Sequence, residues 1–234
     1  MIGKEKYKEI NANLNKKLAE KRFFIAQHRG GAGGNCVENT ILAFKTSLML
    51  GADMFELDVS KSTDGKLYCY HDTTEELNLR LHRNIEEFSS SAIDEFKQYN
   101  SIWEPSGCHV QSLEGVFQEF TDGELYNVDR SWNKLEETFA LMNQYPHCVQ
   151  QALLKAPAKK EILDKYEKEP TKFMFMAIVK TLEDIELVLS YENINVVGFE
   201  LIAKSEEDDM WQDSLIEELH DKGYFVWFNA ITLS

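Results

Sequence analysis

Short runs rich in β-branched and aromatic residues return eight times along this chain, at 23–27, 54–59, 67–70, 125–128, 149–154, 173–179, 196–202 and 224–229. Most intervals between them carry helical periodicity, as in ENTILAFKTSLMLGA, NKLEETFALMNQY and TLEDIELVLSYEN, and several close on Gly or a turn residue. Strand followed by helix, repeated, is the pattern of a parallel sheet with crossover helices. Eight repeats suit a closed (β/α)8 barrel better than an open doubly wound sheet. The sequence therefore predicts an α/β fold, a TIM barrel over 23–234 forming a single domain, with an amphipathic leading helix in 1–22. The third interval, 72–110, is long and polar, and is expected to be an insertion with its own helix at 89–99 beside the barrel mouth. The eighth run stops a few residues before Ser234, so the final helix of such a barrel is expected to be missing: either the chain is cut short or the leading helix covers part of that gap.

A chain of 234 residues that is 43% hydrophobic and 12% aromatic can bury a core of this size. Its 25 Lys and Arg against 40 Asp and Glu, a net charge of −15, argue against nucleic-acid or anionic-membrane partners, both of which reward basic patches. No run approaches the roughly 18 apolar residues of a spanning helix. The start of the chain is too charged for a signal peptide, which points to the cytoplasm. Cys36, Cys69, Cys108 and Cys148 are scattered, with neither a disulfide framework nor zinc-ligand spacing.

In a parallel barrel the strands aim their C-terminal ends at one face, where active sites of this architecture are built. Here those ends are charged: His28-Arg29, Glu56-Leu57-Asp58, His71-Asp72, Asp129-Arg130 and Lys155. Glu56 and Asp58 lie two apart on a strand and so share one wall of the mouth, with Leu57 turned outward. Two close carboxylates repel unless a cation sits between them. Mg2+ or Ca2+ suits such oxygen ligands, and Asp129 from a nearby strand completes the set; the plainer alternative is a solvated pair facing Arg or Lys. His28 and His71 titrate near neutrality and are the candidate acid and base, although a single histidine at a strand end is often structural. Arg29 and Lys155 are candidate phosphate contacts, with a bridge from Arg29 to Glu38 as the alternative. Glu38 and Asn39 either favour their helix N-terminus or turn inward to orient Arg29 or a metal ligand. At least one of Trp227 and Phe228 must face inward, and Trp227 is the candidate wall of a small polyol or acyl pocket.

In their order and spacing, AQHRGG, ENTILAF, GADMFELDVSKSTDGKLYCYHD, QSLEGVF and GYFVWFN resemble the glycerophosphodiester phosphodiesterase family of TIM-barrel, metal-dependent enzymes. The resemblance is densest from Phe23 to Asp72. It implies hydrolysis of a small-molecule glycerophosphodiester to glycerol 3-phosphate and an alcohol. His28 and His71 would be acid and base, Glu56 and Asp58 ligands of a divalent ion, and Arg29 the phosphate contact. Where the family's fourth strand offers Glu-x-Lys, this chain has Asp129-Arg130-Ser131. Asp129 substitutes with a shorter reach, Ser131 does not substitute, and Lys155 is expected to supply the missing charge. Two other activities fit the same residues: a phospholipase-type lyase releasing a cyclic phosphate, and a catalytically weak binding protein. The acidic surface weighs against stable membrane association.

Overall fold

The computed structural model describes residues 1–21 and 23–228. Arg22 at the end of the expected leading helix, Asn229 at the end of the eighth run, and the chain end at Ser234 lie outside the described residues. Among the described residues eleven strands form: β1 Ala26–Gln27, β2 Met54–Lys61, β3 Leu67–Cys69, β4 Lys97–Tyr99, β5 Pro105–His109, β6 Gln111–Ser112, β7 Leu125–Asp129, β8 Ala152–Pro157, β9 Met174–Val179, β10 Val196–Leu201 and β11 Phe225–Phe228. The main sheet runs in the order β11-β10-β9-β8-β7-β2, and β1 joins the other side of β2. All of these pairings are parallel. This is the TIM-barrel architecture that the repeats predict.

The third strand departs from the expectation of a uniformly parallel barrel. β3 pairs antiparallel with the end of β2, Val59 opposite Cys69 and Lys61 opposite Leu67, and β6 pairs antiparallel with β3. The reason is the link. A parallel return needs a crossover of about a dozen residues or more, and 62–66 can make only a hairpin. Gly65, at φ 90°, closes it by donating its N–H to the Ser62 carbonyl. The expected insertion helix at 89–99 shrinks to one turn, Ser90–Ile93, because Lys97–Tyr99 leaves it to pair as β4 with β5. The expected leading helix shortens to Ala12–Glu20 after a 3-10 turn at Glu5–Tyr7.

Alternation along the strands divides two apolar layers. Phe55, Leu57, Val59, Tyr126, Val128, Leu154, Phe175 and Phe199 point out and pack against the surrounding helices. Met54, Leu125, Leu153, Met174, Met176 and Val197 point in and meet Leu14 of the leading helix, which plugs the barrel floor. Asn11 locks this plug in place: its side chain and that of Asn195 each donate to the other's carbonyl oxygen, at 3.0 and 2.8 Å. Because Leu14 is 1% exposed, Leu14→Ala should cost about 2–5 kcal/mol of stability, read from the denaturant midpoint.

Candidate active site

The interior positions above the apolar floor are polar. From β2, Glu56 and Asp58 point inward at 1% and 2% exposure, and Asp129 ends the adjacent β7, opposite Asp58. One oxygen from each of these three carboxylates lies within 4.8 Å of the others. Burial first, then the charges of Asp58 and Asp129, pushes the Glu56 carboxyl well above its ordinary pKa. One Glu56 oxygen, Oε2, accepts from the Arg29 N–H at 2.8 Å, while the buried Oε1 has no hydrogen-bond partner. Three convergent carboxylates and an orphaned buried oxygen fit a hard divalent cation.

His28 and Arg29 stand directly after β1 in a tight 3-10 turn, His28–Gly30, with Arg29 at φ 52°. Gly30 is required there: at φ 71° a Cβ would meet Phe44 Cδ1 at 2.6 Å and the Phe44 backbone nitrogen at 2.9 Å. The turn leaves the His28 side chain 70% exposed with Nε2 3.9 Å from Glu56 Oε2. Burial of part of the ring, and then Arg29, lower the His28 pKa, which favours the neutral imidazole. Arg29 makes the bridge to Glu38 that was its alternative reading and pairs with Asp58 as well: Nη1 donates to Glu38 at 2.9 Å and Nε lies 3.0 Å from Asp58 Oδ2. Asn78 also donates to Glu38, at 3.1 Å.

Asn39 settles the alternative left open for the ENT segment. It turns inward, taking Asp58 Oδ2 with its Nδ2 at 3.0 Å and receiving the Asp58 N–H on its Oδ1 at 3.0 Å. Thr40 makes this possible by capping the helix Ile41–Met49, its hydroxyl accepting from the Ala43 N–H. Asn39 itself sits at φ 57°, a conformation that Asn tolerates better than Ala. Asn39→Ala should therefore cost about 3 kcal/mol from left-handed strain plus lost bonds to a charged group. Asn39→Gly, which keeps the backbone, should lose less; urea titration of the pair separates the two contributions.

His71 arrives by the hairpin. β2 overshoots the mouth and β3 brings the chain back, so that the Tyr70 N–H donates to the Asp58 carbonyl at 3.0 Å. The His71 Nδ1 lies 2.5 Å from the Asp72 carbonyl oxygen. A carbonyl can only accept, so Nδ1 is the donor in this contact. Asp72 pairs with Arg130, whose own N–H donates to Asp129 Oδ1 at 2.7 Å. The structure thus brings His28, Arg29, Glu56, Asp58, His71 and Asp129 to one mouth.

Lys155 lies within β8 and is buried between two acids, with Nζ 2.5 Å from Asp129 Oδ2 and 3.0 Å from Glu200 Oε2. Burial alone would depress this ammonium, but Asp129, Glu200 and Glu56 outweigh it and hold its pKa above the ordinary value. Trp227 faces inward, its ring centroid 5.4 Å from Lys155 Nζ. Ser131 is fully buried. Glu200 was not singled out from the sequence. Its signal is one acid inside the otherwise apolar run VVGFEL, a placement that a buried carboxylate tolerates only with a partner.

The sequence model of the glycerophosphoryl diester phosphodiesterase family matches residues 28–217, a span that holds all of these side chains except Trp227. The chain belongs to this family. A glycerophosphodiester phosphodiesterase of Caldanaerobacter subterraneus is 33% identical over 110 residues, covering 46% of this chain and 45% of the relative. The lysophospholipase D GDPD1 of Rattus norvegicus is 26% identical over 183 residues, 73% of this chain and 56% of the relative. The chain thus spans about half the length of the curated relatives it matches. Among solved structures, a glycerophosphoryl diester phosphodiesterase from Parabacteroides distasonis superposes at a TM-score of 0.75, with 19% identity, over 92% of this chain and 76% of that one. An Oleispira antarctica phosphodiesterase in complex with the product sn-glycerol-3-phosphate gives 0.69, with 15% identity, over 89% and 85%. These likenesses are of fold. Among the described residues, no helix of this family member is long and apolar enough to cross a membrane.

Proposed function

We propose that the protein hydrolyses glycerophosphodiesters to glycerol 3-phosphate and an alcohol, using a divalent ion, Mg2+ or Ca2+, held by Glu56, Asp58 and Asp129. The observation that carries this reading is the convergence of those three carboxylates within 4.8 Å beside His28 and Arg29, in a chain of this family. The ion, when bound, supplies positive charge against the phosphodiester oxygens. Arg29 is held by Glu38 and Asp58, and its remaining N–H groups are the phosphate contact. Lys155 adds a point charge from below, and Trp227 walls the pocket for the glycerol part. One histidine takes a proton from the attacking oxygen and the other gives one to the leaving alkoxide. The first attacker is the glycerol 2-hydroxyl: its oxygen bonds to phosphorus as the ester bond to the alcohol breaks. Water then opens the cyclic phosphate to the monoester.

A panel of glycerophosphodiesters with choline, ethanolamine, inositol or glycerol as the alcohol, together with a lysophospholipid, tests this directly. Turnover should vanish in EDTA and return on adding Mg2+ or Ca2+. Phosphorus NMR should show glycerol 3-phosphate as the final product, whereas accumulation of the cyclic ester would assign the lyase reading instead. Tight binding of the same compounds without turnover would mark a binding protein.

A further inference from the structure

Glu200 and Lys155 together make a device inside the barrel that the carboxylate triad alone does not require. Lys155 reaches inward from β8, and its ammonium is shared between Asp129 Oδ2 at 2.5 Å and Glu200 Oε2 at 3.0 Å. Trp227 lies against this ammonium from β11. Lys155 is 6% exposed and Glu200 3%, so neither charge is relieved by water. An ammonium shared between two acids has two resting places. On Asp129 it occupies an oxygen that a divalent ion would use, and it repels that ion at close range. On Glu200 it withdraws from the ligand set while staying paired, as a buried charge must.

We propose that Glu200 is a positioning residue that draws the Lys155 ammonium off Asp129, so that the Lys155–Glu200 pair sets the affinity of the Glu56–Asp58–Asp129 triad for a divalent ion. The inference rests on the metal-binding reading of that triad. Without the Glu200 carboxylate, Lys155 settles on Asp129 and competes with the ion for it. With Glu200 in place the ammonium rests nearer Asp129, at 2.5 Å against 3.0 Å, and an arriving ion moves it onto Glu200, where it stays paired. In this reading Glu200 is no catalytic group and acts through its ion pair with Lys155.

Mn2+ binding to the full chain, followed by the loss of the free-ion EPR signal, is the test, with a thermal melt of each variant beside it. Glu200→Gln should weaken Mn2+ binding about tenfold or more, the usual size of an outer-partner effect. Glu200→Asp is the deciding variant, because it keeps the charge and withdraws it from Lys155 by one methylene. Positioning predicts weakening comparable to that of Glu200→Gln, whereas wild-type affinity in Glu200→Asp would overturn the proposal and leave only a general field effect. In a Lys155→Met background, Glu200→Gln should change the affinity by less than about twofold, since the group it acts through is gone. A tenfold effect persisting there would also overturn it. Should Lys155→Met fail to fold, the Glu200→Asp comparison stands alone. If the wild-type chain binds no Mn2+, the metal reading itself falls and this inference with it; if it binds and the variants match it, only this inference falls.

Discussion

Alanine at His28 or at His71 is expected to slow release of glycerol 3-phosphate by about 10²–10⁴-fold, the range that a positioned acid or base contributes. The expectation is specific because neither side chain carries the fold. His28 is 70% exposed, with Nε2 3.9 Å from Glu56 Oε2. His71 binds its own neighbour, through Nδ1 and the Asp72 carbonyl, and that bond fixes its tautomer without holding distant elements together. The melting temperature and the Mn2+ affinity of both variants should therefore stay near those of the wild type while kcat collapses. A rise in KM alone, with kcat kept, would make the histidines binding groups. Undiminished turnover in both variants would remove the proposed mechanism.

Lys155→Met is expected to have the largest effect on stability of any single change at the mouth, about 3–5 kcal/mol in the absence of metal. The substitution keeps an unbranched side chain of similar length, so the loss is electrostatic and not a cavity. It leaves Asp129 and Glu200 facing each other with the shared cation gone. The same reasoning predicts a partial recovery: a divalent ion supplies part of the missing positive charge, so saturating Mn2+ should raise the urea midpoint of Lys155→Met more than that of the wild type. Equal midpoints for the two chains without metal would show that the pair contributes nothing net, as some buried pairs do not.

Much of the mouth was legible because strand ends of a parallel barrel must meet. His28, Glu56, Asp58 and Asp129 follow from alternation and topology without a side-chain contact being known. His71 reaches the same place by a route that composition does not reveal. The residues of β3 look like those of any barrel strand, and only the short link at 62–66 dictates the antiparallel return. The expected helix at 89–99 failed for a different reason. Ile93 and Phe96 do pack into a common apolar cluster, but pairing with β5 overrides the local preference of residues 97–99. Asn39 could be placed but not aimed, since a left-handed φ is not written in neighbouring residues. Glu200 stood in an apolar run as an anomaly, and its partner 45 positions away in the chain becomes visible only once β8 and β10 both face inward.

The paired amides of Asn11 and Asn195 carry a consequence for how the protein is made. They join positions separated by 184 residues, so during synthesis the plug emerges long before the strand that latches it. Until then Leu14 and its neighbours have no finished barrel to enter, and the inward faces of β2, β7 and β8 lack a floor. A ribosome-bound chain halted before residue 195 should accordingly expose this apolar lining, making it a substrate for chaperones at a stage when every proposed metal ligand has already been translated.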